Sequence, residues 1–213
     1  MKIKIKEFNI YIDEIFLITC FLCIVFKGIR QYFENYFICF LFIIFHELAH
    51  MFMASVFGIK TTRIKINISG LNIKLNTFNK GGGKWLCIFL AGPISNILLA
   101  IIFRNISMVY TINLALAIIN LIPIYPLDGY NIFEILLTLA RVKNIERIKK
   151  IVEIMVIIML GNIGICQFIF LKNPSVILMF FYIFLQASSP RKKRDSRMYQ
   201  KYYKNITKFQ KNY

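Results

Sequence analysis

The 213-residue chain holds only two histidines, and they stand four apart in Phe45-His46-Glu47-Leu48-Ala49-His50. On a helix that spacing puts both imidazoles on one face, where they can hold a single divalent ion, while Glu47 lies one step round. The pattern is H-E-x-x-H, in which a zinc-bound water has its pKa lowered towards about 7 and the glutamate takes its proton. The competing reading is a hydrogen-bonded histidine pair inside a helical bundle. Two features weigh against it: no other histidine exists, and a carboxylate in an apolar run is expensive enough to be functional by default.

Two histidines and a water leave a tetrahedral zinc one protein ligand short. Among the acids, Glu7, Asp13, Glu14 and Glu34 fall near span ends or in loops, and Glu146 sits in a charged loop. Glu134 and Glu153 adjoin basic segments near an interface. Asp128 differs, because it closes Asn120-Leu121-Ile122-Pro123-Ile124-Tyr125-Pro126-Leu127-Asp128-Gly129, where two prolines interrupt the end of an apolar span. Irregular backbone at such depth is tolerated where it is buried in protein or lines a wet cavity. Taken alone, the same segment also reads as a proline-terminated helix ending in a surface Asp-Gly turn.

The elements that carry these residues need a lipid solvent. Hydrophobic residues make up 58% of the chain, and the mean hydropathy is +0.62, more than a soluble domain of this length can bury. Apolar runs at about 14–27, 36–57, 84–103, 108–126, 151–171 and 175–188 give an all-α polytopic membrane protein of about six spans. Between the second and third, residues 62–76 alternate polar and apolar about Ser69-Gly70, which predicts a small β-hairpin, and Gly81-Gly82-Gly83 follows as a hinge. Residues 1–188 form one membrane domain and 189–213 a basic tail lying on anionic lipid. The first run lacks a small-residue cleavage site and is expected to remain as an anchor. Cys20, Cys23, Cys39, Cys87 and Cys166 lie mostly inside apolar runs and read as small buried hydrophobes, not as disulfides or metal ligands.

Twenty-seven Lys and Arg against ten Asp and Glu give a net charge of +17. In a soluble protein that would point to nucleic acid, but here the charge alternates between loops. Segments 1–13, 58–84, 129–150 and 189–213 carry three, six, five and nine basic residues, whereas 27–35, 104–107 and 172–174 carry four in all. The positive-inside rule then places both termini, the hairpin and the region after Asp128 in the cytoplasm.

HELAH in one span and NLIPIYPLDG in a later one resemble the site-2 protease family of intramembrane zinc metalloproteases. That resemblance implies zinc ligation by His46, His50 and Asp128, catalysis by Glu47, and contact of Asn120 with the substrate backbone or the intermediate. Ala91-Gly92-Pro93-Ile94-Ser95-Asn96 resembles the family's G-P-x-x-N element, which implies a site-lining, substrate-contacting role for Asn96. On physical grounds alone a Gly-Pro pair in a membrane helix is also explained as a packing kink. The short form, with a span before HELAH and no PDZ-like insertion, resembles the stage IV sporulation protein FB subgroup. Its members free a sigma factor from a membrane-tethered precursor and often continue into a CBS domain, for which residues 189–213 are too short.

The expected activity is therefore peptide hydrolysis in a membrane-tethered substrate, with membrane-protein regulators and no specific nucleic-acid partner. A metal transporter would spread ionisable residues along a path, and a non-catalytic scaffold would have no use for Glu47.

Overall fold

The computed structural model describes residues 2–5, 8–14, 18, 30–67, 70–75 and 82–171. The expected first span lies almost wholly outside these residues, and the expected last span and basic tail lie entirely outside them.

Strands β1 (Lys2–Ile5) and β2 (Phe8–Ile12) precede helix α1 (Arg30–Val56), which contains the H-E-x-x-H segment. Strands β3 (Thr61–Asn67) and β4 (Gly70–Leu75) follow, and then come helices α2 (Gly82–Ile102), α3 (Ser107–Leu121), α4 (Asp128–Leu139) and α5 (Ile145–Leu171). Helix α1 ends at Gly58, whose φ of +69° is a left-handed conformation that glycine adopts without strain. There the Gly58 N–H donates to Ser55 O at 2.9 Å and the Ile59 N–H to Ala54 O at 2.8 Å. This double bond pattern turns the chain sharply out of the helix and into β3.

The expected hairpin is present as β3 and β4, antiparallel, with Ile64 opposite Ile73 and Lys65 opposite Asn72. It is not alone. The sheet has four strands in the order β1-β2-β3-β4, with β2 parallel to β3 so that Ile10 faces Ile64 and Ile12 faces Ile66. The all-α expectation with one isolated hairpin is thereby corrected. The Lys2-Ile3-Lys4-Ile5 alternation has the period of a strand, but within a short, lysine-rich stretch it reads equally well as a charged cytoplasmic segment. Lys65 Nζ lies 3.0 Å from Asp13 Oδ2, and the Arg63 guanidinium stacks 4.8 Å from the centre of the Tyr11 ring, so side chains reinforce the β2–β3 join.

Two of the described helical segments, Tyr36–Val56 and Gly82–Ile102, are long and apolar enough to cross a membrane, and Ser107–Leu121 is a shorter apolar helix. Their outer faces suit lipid. Phe37, Phe45, Phe52 and Val56 on α1, Leu98, Ile101 and Ile102 on α2, and Ile154, Met155, Ile158 and Met159 on α5 are all exposed. Exposed apolar faces like these call for cover by lipid or by protein. The expected 108–126 span shortens to α3 because Ile122 precedes Pro123, and the ring of that proline drives it to an extended ψ of 129°.

Helix α2 is the central element, packing against α1, α3 and α4. Ala54, Trp85, Ile88 and Ile135 form a buried cluster joining α1, α2 and α4, with Met53, Phe57 and Leu75 against it. This cluster holds the H-E-x-x-H helix, the Gly-Pro helix and the helix that starts at Asp128 in one packed unit.

Candidate metal centre

Helical spacing does what it predicts. His46 and His50 are both buried in α1, and their Nε2 atoms lie 3.1 Å apart. The third member comes from far along the chain. Asp128 Oδ2 lies 3.0 Å from His46 Nε2 and 3.1 Å from His50 Nε2. These three residues form the metal-competent group among the described residues.

The loop that delivers Asp128 is tightly made. After α3, the Ile124 N–H donates to Ile122 O at 2.8 Å and the Leu127 N–H to Ile124 O at 2.9 Å, while the Ile124 side chain is fully buried. Pro123 and Pro126 offer no N–H to the helix they interrupt. Gly129 follows Asp128 because the start of α4 presses on the end of α3, where a β-carbon would collide with the backbone of Leu121 and Ile122. Asp128 thus sits in the first turn of α4, packed between segments instead of on a surface turn.

Helix α2 forms the back wall of the centre. The His50 Nδ1–H donates to Ile88 O at 2.7 Å. One turn on, Gly92 leaves room for the rings, since a β-carbon there would overlap His50 Nε2 and lie 2.6 Å from His46 Cε1 and Nε2. One turn further, the Asn96 side-chain amide meets His46 Nδ1 at 3.2 Å.

The other residues singled out by sequence fall differently. Glu47 is half-buried next to His46, and its carboxylate makes no hydrogen bond or ion pair among the described residues. Asn96 is fully buried, with its side-chain amide against His46. The reason is geometric: residue 96 lies one turn beyond Gly92 on the face that α2 turns towards α1. Asn120 donates from Nδ2 to Leu116 O of its own helix at 3.0 Å. Glu134 is spoken for, with its Oε2 3.0 Å from Lys149 Nζ. Burial raises the Glu134 carboxyl above the usual range, and the Lys149 ammonium pulls it only partly back. The Ile88 carbonyl was invisible to sequence reasoning because backbone atoms carry no residue signature. Gly92 did carry a signal, a glycine in an apolar helix, but only the distance between helices tells what needs the space.

The donor set fits zinc. Ligand distances of about 2.0–2.1 Å around a tetrahedral zinc place neighbouring donor atoms roughly 3.3 Å apart. The observed triangle has edges of 3.0, 3.1 and 3.1 Å. The bond to Ile88 O fixes a proton on His50 Nδ1, so a neutral His50 turns an Nε2 lone pair towards a carboxylate oxygen and a second imidazole. One divalent cation satisfies all three donors at once.

Fold and site together define a class: apolar helices around three donors that could hold a metal ion, supplied by H-E-x-x-H and a distant aspartate. Comparison with known proteins points the same way. Residues 104–162, which include Asp128 but not the histidines, match the model of peptidase family M50. The chain is 29% identical over 113 residues to zinc metalloprotease MJ0392 of Methanocaldococcus jannaschii, an alignment covering 46% of this chain and 33% of that protein. It therefore spans about a third of that relative's length. Its fold is similar to that of the site-2 protease from Methanocaldococcus jannaschii, with a TM-score of 0.58 and 22% identity over 88% of this chain and 93% of the other. The family match rests on residues 104–162, the structural likeness shows a shared fold, and zinc is the metal of the matched relative.

Proposed function

We propose that the chain is an intramembrane zinc metalloprotease of the site-2 type. The observation that carries the reading is the triangle of His46 Nε2, His50 Nε2 and Asp128 Oδ2 beside Glu47, a half-buried carboxylate without a partner among the described residues. A zinc ion held by those three residues would supply Lewis acidity at a scissile carbonyl and a bound water of lowered pKa. Glu47 would accept the proton of the attacking water and pass it to the leaving amine. Asn120, at the end of α3 eight residues before Asp128, contacts the substrate backbone in this reading.

The substrate is a membrane-tethered protein whose spanning helix must open, because its amides are otherwise bonded within the helix. Strand β4 is a sheet edge among the described residues, and an opened segment can add to it as a further strand. With both termini in the cytoplasm, the cut lies towards the cytosol, and residues 1–188 act as one membrane domain with a basic tail against anionic lipid. The finer reading is release of a sigma factor from its membrane-tethered precursor during sporulation, under the control of membrane-protein regulators.

Glu47→Gln tests the proposal. Co-expressed with single-span candidate substrates, a sporulation sigma precursor first, the wild-type chain is expected to release a soluble fragment. The variant should leave the substrate intact while still binding zinc. Cleavage retained by Glu47→Gln would refute the protease reading, and zinc carried by both without cleavage of any tethered substrate would favour transport or scaffolding.

A further inference from the structure

The two histidines of the centre differ in what lies behind them. Behind His50 stands a backbone carbonyl, Ile88 O, at 2.7 Å from Nδ1. A carbonyl only accepts, so the His50 proton is on Nδ1 and Nε2 is left with the lone pair a metal needs. Behind His46 stands the Asn96 side chain, which can either donate or accept. With Nδ2 directed at His46 Nδ1, 3.2 Å away, the amide would donate, forcing the His46 proton onto Nε2 inside the triangle. In that orientation Asn96 Oδ1 has no hydrogen-bond partner, although the residue is 0% exposed. The oxygen and nitrogen of an amide exchange places by a half-turn that leaves the plane of the group where it was.

We infer that Asn96 is a positioning residue whose Oδ1 accepts the Nδ1–H of His46, so that Ile88, Gly92 and Asn96 set both imidazoles with Nε2 towards the metal. The half-turn gives the orphaned oxygen a donor, moves Nδ2 to where the oxygen stood, and gives both histidines the same tautomer, with Nδ1 protonated and Nε2 bare. The three residues recur every four positions along α2, so one helix face supplies an acceptor for His50, clearance for both rings, and an acceptor for His46. Outer acceptors of this kind fix ring orientation and raise ligand basicity. The inference rests on the zinc reading and extends it to a residue that never touches the metal.

The test compares wild type, Asn96→Leu and Asn96→Asp, purified in detergent, stripped with a chelator and titrated with Co(II). Affinity is read by chelator competition and coordination by the visible absorption bands. Asp can only accept, so Asn96→Asp should bind Co(II) within a few-fold of wild type. Asn96→Leu, which offers nothing to Nδ1, should bind roughly 10- to 100-fold more weakly. Equal affinity of Asn96→Leu and wild type overturns the inference, as does an Asn96→Asp as weak as Asn96→Leu. A wild-type protein that takes up no metal instead overturns the zinc reading itself. Should Asn96→Leu fail to fold, nitrogen-15 spectra of the metal-free wild type decide. A protonated Nδ1 on His46 is expected, and a protonated Nε2 with bare Nδ1 overturns the proposal.

Discussion

The Lys149 ammonium lies 3.0 Å from the Glu134 carboxylate with the two side chains 2% and 7% exposed, so a nearly dry ion pair ties α5 to the helix that begins at Asp128. Lys149 also reaches Glu146 Oε1 at 3.1 Å and lies 4.7 Å from the centre of the Tyr130 ring. Removing one member of a buried pair strands the other's charge, at a cost of about 3–5 kcal/mol, whereas removing both is far milder. Lys149→Met should therefore lower the thermal unfolding temperature in detergent markedly. The double variant Glu134→Gln/Lys149→Met should recover most of the loss. A double variant as unstable as the single one would show that the pair is not what joins these helices.

Gly92→Ala should strike the centre without replacing a ligand. The added methyl has no space against His50 Nε2 and the His46 ring. A displacement of about 1 Å at a reacting centre costs roughly 100-fold in rate. Zinc content well below that of wild type and a cleavage rate reduced by about that factor are expected, with helix content by circular dichroism unchanged.

Gly129→Ala should act on Asp128 through the backbone. Its methyl would meet the peptide groups of Leu121 and Ile122, which cannot swing aside as a side-chain tip can. The expected outcome is loss of both zinc and thermal stability, which distinguishes it from Asp128→Asn. That substitution keeps the shape but removes the anionic ligand, so zinc should be lost while the unfolding temperature of the metal-free protein stays close to wild type.

Much of the centre was legible because its signals are local. His46, Glu47 and His50 declare themselves by a spacing that any helix converts into proximity, and the helix is indeed α1. Asp128 was legible by a different route, through the proline-broken segment around it and its resemblance to a known pattern. What sequence could not supply are quantities set by the distance between helices. The clearance at Gly92, the acceptor at Ile88 O and the turn of Asn96 towards His46 exist only once α2 lies against α1. The Glu134–Lys149 pair, likewise, joins two charges that in sequence look like parts of a solvated basic loop. The N-terminal strands escaped notice because a four-residue alternation gains meaning only once its neighbour β2 is itself paired, and β2 pairs with β3, more than fifty residues away.

Replacing the β3–β4 hairpin with a flexible linker tests substrate capture at the sheet edge. Cleavage of a tethered substrate should fall steeply while Co(II) binding is retained, because none of the three donor residues lies in the sheet. Unchanged cleavage would remove strand addition from the mechanism.

The parallel join of β2 to β3 also ties together the chain on either side of α1. Strands hydrogen-bonded in one sheet lie side by side, so Ile12 and Ile66 are neighbours although the whole H-E-x-x-H helix separates them in sequence. Both ends of that long excursion are therefore anchored in one sheet, and the helix is a closed detour from it.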